Sequence, residues 1–406
     1  MSVTAAQGFT AAGIAAGIKE NGNPDLALVV NHGPRLAAAG VFTSNRVKAA
    51  PVLWSEQVLA GGAVSAVVLN SGGANACTGP LGFQDTHATA EKVAAVLGHS
   101  AGEVAVASTG LIGLRLPMDK LLPGVETAAA ALSPDGGEKA AIAIKTTDSV
   151  HKTAVVRSTD QAQSGPGPAT GSELGTGPAT AGGWAVGGMA KGAGMLAPGL
   201  ATMLVVLTTD ADLDAAALDK ALREATRTTF DRVDSDGCMS TNDTVLLLAS
   251  GASGIAPDFE AFAEAVRAVC ADLARQLIGD AEGASKDIRI EVVGAASEDD
   301  AVEVGRSIAR NNLLKCALHG EDPNWGRVLS AIGTTSATFE PDRLNVAING
   351  VWVCKAGSVG EDRELVDMRY REVAITADLA AGQESAVIWS NDLTADYVHE
   401  NSAYSS

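Results

Sequence analysis

"MAKGAGMLAPGLATMLVVLTTD" runs from Met189 to Asp210 and holds two kinds of chain side by side. Its first part, to Ala201, is rich in glycine and carries Pro198. Its second part, after Thr202, is a run of apolar and β-branched residues that reads as a buried strand. A lone hydroxyl residue therefore stands at the seam between a glycine-rich loop and a core strand. Glycine tolerates unusual backbone angles and Pro198 stiffens the approach, so this loop can hold the Ala201–Thr202 peptide under strain of about 1–3 kcal/mol. A strained carbonyl at Ala201 is open to attack by the Thr202 hydroxyl. An N→O acyl shift followed by hydrolysis would cut the chain there and leave Thr202 with a free α-amine. That amine has an ordinary pKa of roughly 7.7–8.0, lowered by burial or by nearby Lys191, and can serve as general base for its own hydroxyl. Taken without this context, Thr202 is an ordinary strand residue.

The rest of the sequence bounds the alternatives. A chain of 406 residues is too long for one ordinary core, so two domains, or one large α/β unit with an extension, are expected. Hydrophobic residues make up 46% and aromatics only 4%, which places Ala, Val, Leu and Ile in the core. A formal net charge of −19 argues against non-specific binding to nucleic acid or to anionic membrane. The five cysteines, Cys77, Cys238, Cys270, Cys316 and Cys354, form no C-x-x-C pair, so neither a disulfide framework nor a zinc site is expected and a reducing cytoplasm fits. The N-terminus lacks a secretory signal pattern, and no apolar stretch approaches a membrane span. Lys191 precedes Gly192 with no Ser or Thr after the lysine, so the P-loop order is broken. The six histidines lack metal-ligand spacing. No metal, nucleotide or prosthetic group is expected.

Along the chain, "LALVV" (26–30), "VSAVVLN" (64–70), "EVAVASTG" (103–110), "TMLVVLTTD" (202–210), "TVLLLASG" (244–251) and "KDIRIEVVG" (286–294) read as strands. Helices are expected over 85–98, with Asp85 or Thr86 as cap, and over 117–132, 138–145, 212–230, 259–280 and 298–318. Asp212 or Asp214 would cap the fourth of these. Late segments "RLNVAING", "VWVCKAG", "REVAITADL" and "ESAVIWSND" read as β. Residues 164–183, low in complexity and rich in Gly, Pro, Ala and Thr, read as a flexible insertion. Mixed α/β or α+β is the expected class.

These residues resemble the ornithine acetyltransferase family, also called glutamate N-acetyltransferases, of arginine biosynthesis. "MAKGAGMLAPGLATML" matches its self-cleaving signature. "VVLNSGGANACTG", "ASTGLIG", "IKTTD", "STNDTVLLLASG", "DAEGASK", "DPNWGRVL" and the terminal "ENSAYSS" keep one order over nearly the whole length. Gly199–Leu200 depart from the Asn-Met common in the family.

The resemblance implies stacked mixed sheets flanked by helices, in the manner of N-terminal-nucleophile enzymes, plus a smaller C-terminal α+β domain. It implies self-cleavage at Ala201–Thr202 into an α chain (1–201) and a β chain (202–406), assembled two of each. Thr202 becomes the nucleophile and Thr109 with Gly110 the oxyanion hole. Thr146, Lys191, Glu282, Asn401 and Ser406 join Thr202 in binding substrate. The implied reaction is transfer of acetyl from N2-acetylornithine to glutamate through an acetyl-threonine intermediate, with acetyl-CoA a further donor in some members. A hydrolase using the same self-cut, an N-terminal-nucleophile aminopeptidase or amidohydrolase, is the alternative. Taken alone, Thr109 reads as a strand-end residue, Lys191 as a solvated loop lysine, Glu282 as a surface charge, and Asn401 and Ser406 as a frayed tail. "DPNWGR" reads as structural.

Overall fold

A computed structural model describes residues 2–159, 183–197 and 203–403. In chain order the first part contains β1 (Phe9–Ile14), β2 (Leu26–Asn31), β3 (Ala37–Phe42), α1 (Ala50–Leu59), β4 (Ala66–Ser71), α2 (Gly79–Leu97), β5 (Val104–Thr109), α3 (Met118–Ala130), α4 (Gly137–Ala143), β6 (Lys152–Thr159) and β7 (Gly183–Lys191). The second part contains β8 (Leu204–Thr209), α5 (Ala215–Thr228), β9 (Thr244–Ala249), α6 (Phe259–Gly279), β10 (Asp287–Ala295), α7 (Glu298–Ala309), α8 (Asn312–His319), α9 (Trp325–Ile332), β11 (Asn345–Ile348), β12 (Val351–Lys355), β13 (Ser358–Val359), β14 (Glu372–Asp378), β15 (Glu384–Asn391) and α10 (Ala395–Ala403).

Strands β2, β4, β5, β8 and β9 are buried at every position, because both faces of their sheets are covered. The period of two divides their side chains between layers. In sheet β1-β2-β4-β5, Ala27, Val29, Val67, Leu69, Ala105 and Ala107 face one core, while Leu26, Leu28, Val68, Val104 and Val106 face another, with residues of α2 and α3. In sheet β3-β9-β8-β7-β6, Leu204, Val206, Leu246 and Leu248 join that first core, and Val205, Leu207, Val245 and Leu247 pack with α5 and α6. The result is four layers, helix–sheet–sheet–helix, with Ala-rich packing between the sheets.

The third sheet, β13-β12-β11-β14-β10-β15, packs its own core against α7, α8 and α9. The architecture is the stacked mixed α/β arrangement with a smaller C-terminal unit that the sequence leads one to expect. Among the described residues no helix is long and apolar enough to cross a membrane.

Some local expectations need correction. Helix α2 begins at Gly79, with Thr78 as cap and Pro80 in its first turn, so Asp85 and Thr86 lie inside the helix. Asp85 instead binds Arg115 and Thr86 binds Asn75. The single helix expected over 298–318 is two, because the Asn311 side chain caps α8 through Leu314 N. Asp214 caps α5, as one of the two expected residues. Asn324 caps α9 through Arg327 N, which gives "DPNWGR" its structural part. Sequence reading also misses β1, β3, β6 and β7. The last of these, "GWAVGGMAK", carries Lys191 on a strand end rather than in a loop.

Strands β7 and β8 are antiparallel, with Val186 opposite Thr209 and Lys191 opposite Leu204. The chain between them therefore leaves and re-enters one sheet at the same edge of the register. Strands before and after Ala201 share one sheet, since β3 pairs with β9 and β7 with β8, with β6 added at the edge beside β7.

Candidate active site

Strands β5 and β8, one from each of the two stacked sheets, touch each other. The carbonyl of Thr109, the last residue of β5, accepts hydrogen bonds from Gly72 N (2.9 Å) and Gly73 N (3.0 Å). These fix the Thr109–Gly110 peptide against the "SGGAN" loop. Gly110 has φ +129, and a Cβ there would lie 2.6 Å from Gly73 N, so no other residue fits without shifting backbone. The Gly110 amide donates to no described residue.

Lys191 is buried, not solvated. Its Nζ donates to Thr109 Oγ1 at 3.2 Å, which leaves the threonine hydrogen free to donate elsewhere. Burial lowers the Lys191 pKa, opposed chiefly by Asp148, with Asp243 and Glu282 adding to the opposition and Lys152 reinforcing burial. A buried ammonium is costly unless paired, and Asp148 is the strongest of its electrostatic partners.

Asp148 ties the loop after α4 to the end of β7. Its Oδ1 accepts from Lys152 Nζ (2.7 Å) and Gly192 N (2.7 Å), and its Oδ2 from Thr146 N (3.0 Å). Lys152, fully buried, also reaches Asp280 at 2.5 Å. Burial alone would push the Asp148 carboxyl up; Lys191, Lys152 and the Gly192 amide overcome this and hold it at about 2. Thr146 is thus anchored through its backbone.

Glu282 follows α6 by a few residues, and its amide donates to Ala193 O at 2.9 Å. Its carboxylate accepts from Thr147 Oγ1 (2.7 Å) and from Asn401 Nδ2 (3.0 Å). A Cβ on Gly194 would lie 2.5–2.7 Å from these carboxylate atoms, so this glycine gives Glu282 its place against the backbone. Asn401 reaches Glu282 because α10 folds back: Thr394 Oγ1 binds Gly283 O (2.6 Å) and Tyr397 packs on Gly283. The tail does not fray at Asn401.

The structure therefore brings Thr109, Gly110, Thr146, Lys191, Glu282 and Asn401 into one linked network. Ala201, Thr202, Ser406, Gly199, Leu200 and all of the 164–183 segment except Gly183 lie outside the described residues.

Four polar residues escape sequence reasoning. Thr147, not Thr146, supplies the hydroxyl to Glu282, and Asp148 organises both neighbours. Asn242 Nδ2 binds Ala74 O (2.6 Å) and Ser108 O (2.8 Å), clamping the end of β5, while Asp243 Oδ1 accepts from Met203 N at 3.0 Å, clamping the start of β8. The signal was present as "STND", four polar residues directly before the fully buried strand β9.

The sequence profile of the ArgJ family matches residues 10–406. The chain belongs to the ArgJ family. The arginine biosynthesis bifunctional protein ArgJ of Streptomyces avermitilis is 82% identical over 406 residues, covering 100% of both chains. The protein of the same name from Thermobifida fusca is 61% identical over 405 residues, again covering 100% of both. A solved structure of the ornithine acetyltransferase of Mycobacterium tuberculosis complexed with ornithine is similar at 55% identity and a TM-score of 0.43, over 50% of this chain and 96% of that one. The family resemblance read from the sequence is thus borne out for the whole chain.

Proposed function

We propose that this ArgJ protein transfers acetyl by double displacement on Thr202. The chain is an acetyltransferase of arginine biosynthesis. It cuts itself between Ala201 and Thr202, and the freed α-amine of Thr202 takes the proton of its own hydroxyl. That hydroxyl attacks the acetyl carbon of N2-acetylornithine. The tetrahedral oxyanion takes hydrogen bonds from the Thr109 hydroxyl and the Gly110 amide. Ornithine leaves with the proton, and an acetyl ester remains on Thr202. Glutamate enters with a neutral amine, attacks the ester and departs as N-acetylglutamate. The acetyl group moves between two similar amines, so the site must keep water from the ester rather than drive the exchange. Being bifunctional, like the relatives that carry that word in their name, the protein also makes N-acetylglutamate with acetyl-CoA as donor.

The observation that carries this reading is the Lys191–Thr109 hydrogen bond. It joins the end of β5 to the end of β7 at the level where Leu204 pairs with Lys191. Thr202 precedes Leu204 by two residues in the chain. A buried cation there disfavours a second positive charge, which favours the neutral amine. Lys191 and Thr146 bind the amino-acid carboxylate and Glu282 with Asn401 binds an ammonium group. Ser406 completes the site from the C-terminus. The α and β chains stay together through the β7–β8 pairing, and two of each make the assembly.

Two-substrate kinetics test the reaction. Parallel double-reciprocal lines with acetylornithine and glutamate, and little acetate without glutamate, are expected. Acetate release independent of glutamate would instead favour the hydrolase.

A further inference from the structure

Asp243 is fully buried. One oxygen accepts the Met203 amide at 3.0 Å; the other, also buried, has no hydrogen-bond partner among the described residues. No cation among the described residues forms an ion pair with it. A carboxylate that served only to accept one amide would be a costly choice in such a place, where an amide side chain accepts equally well. The neighbouring Asn242 clamps the oxyanion strand, and the Met203 carbonyl accepts Thr244 N at 3.1 Å. Met203 is therefore held on its amide by Asp243, just before β9, and on its carbonyl by Thr244, the first residue of β9. Met203 is the residue bonded to Thr202.

We propose that Asp243 is a positioning residue for the nucleophile, fixing the Thr202–Met203 peptide through the Met203 amide and working as an uncharged acid. This rests on the reading of Thr202 given above. The physical need is plain. An ionised carboxylate beside the newly freed α-amine would hold it as ammonium, and an ammonium cannot take the hydroxyl proton. An uncharged acid keeps the same hydrogen bond to Met203 without that penalty. Burial raises the Asp243 pKa well above the carboxylate range, against the opposing pull of the Met203 amide, the Ser240 hydroxyl and Lys191. The charged groups facing it are Lys191 from β7 and Asp231 from the turn after α5; the latter adds to the rise.

The test uses the full chain with Asp243→Asn and Asp243→Ala, beside Thr202→Ala. Self-cleavage is followed on denaturing gels after synthesis, and kcat and KM of acetyl transfer are measured on the cleaved fraction across pH. Asn accepts the Met203 amide and is uncharged, so it should keep cleavage, at least about a third of kcat, and the acid limb of the pH profile where the unsubstituted enzyme has it. Ala loses the hydrogen bond, so cleavage should slow and kcat fall about 10- to 100-fold with KM within about twofold. Asp243→Ala cutting and turning over at unsubstituted rates overturns the proposal. So does a folded Asp243→Asn that is as slow as the Ala variant, or whose acid limb moves. If the Ala variant does not fold, the Asn kinetics and pH profile alone decide. A Thr202→Ala chain that is cut and active would refute the nucleophile itself, a separate failure from that of Asp243.

Discussion

Replacing Asp148 with Asn removes one negative charge and no atoms of bulk from the centre of the site's electrostatics. The carboxyl is held at about 2 against an ordinary 3.8, so its charged form is favoured in the folded protein by about 2–3 kcal/mol. That stabilisation is fully present above the unfolded value of 3.8 and is lost as pH falls through about 2. The side chain is buried, so no discount for solvent is due. Asn also cannot satisfy both flanks. Gly192 N and Thr146 N each need an acceptor, and one of them would face an NH2 group. Lys152 keeps Asp280, which limits the loss at that end. The expected outcome is a protein destabilised by about 2–3 kcal/mol at pH 7 in urea unfolding, with the gap to the unsubstituted enzyme falling to about half at pH 3 and closing toward pH 2. The KM for acetylornithine should rise about tenfold, because the peptide at Thr146 and the end of β7 beside Lys191 both lose an anchor. Equal stability at pH 7, or a gap that stays constant down to pH 3, would refute the claim that Asp148 carries the buried cations.

Other substitutions probe separate parts. Thr109→Ala should lower kcat by roughly 10²–10³ with little change in KM, as loss of one oxyanion donor does, and Thr109→Ser should recover much of it in the same steady-state assay. Glu282 accepts from Thr147 and Asn401; on the proposed role as partner of the substrate's ammonium, Glu282→Gln should raise KM for acetylornithine more than it lowers kcat, and an unchanged KM would remove it from binding. Asp234 offers a pH test away from the site. Burial pushes its carboxyl up to about 6 despite the Arg310 contact at 2.8 Å, with one oxygen unpaired. A raised carboxyl favours the fold below about 3.8 and loses that contribution as pH rises through 6, so Asp234→Asn should gain about 3 kcal/mol relative to the unsubstituted chain between pH 4 and pH 8 in urea unfolding.

Much of this was legible in the residues because the sheets are buried on both faces. Continuous apolar runs such as "LALVV" and "TVLLLA" announce core strands whatever their partners. Strand β7 was not legible, because "GWAVGGMAK" carries glycines that pack against Ser2 and Leu207 and so weaken its β pattern. The missed start of α2 has a local cause: Gly79 and Pro80 read as turn residues but form its first turn. Lys191 reads in isolation as a surface lysine, since burial of a cation depends on partners distant in sequence, here Thr109 and Asp148. Asp148, Asn242 and Asp243 stood inside motifs without a role of their own. Their roles come mostly from backbone amides and carbonyls distant in sequence, at Gly192, Met203, Ala74 and Ser108, which no spacing rule encodes.

The most direct test of the central claim is intact mass with N-terminal sequencing on purified, fully active enzyme. Two chains meeting at Ala201 and Thr202, the second beginning Thr-Met-Leu, are predicted. Full transferase turnover from a single unbroken chain would contradict the account.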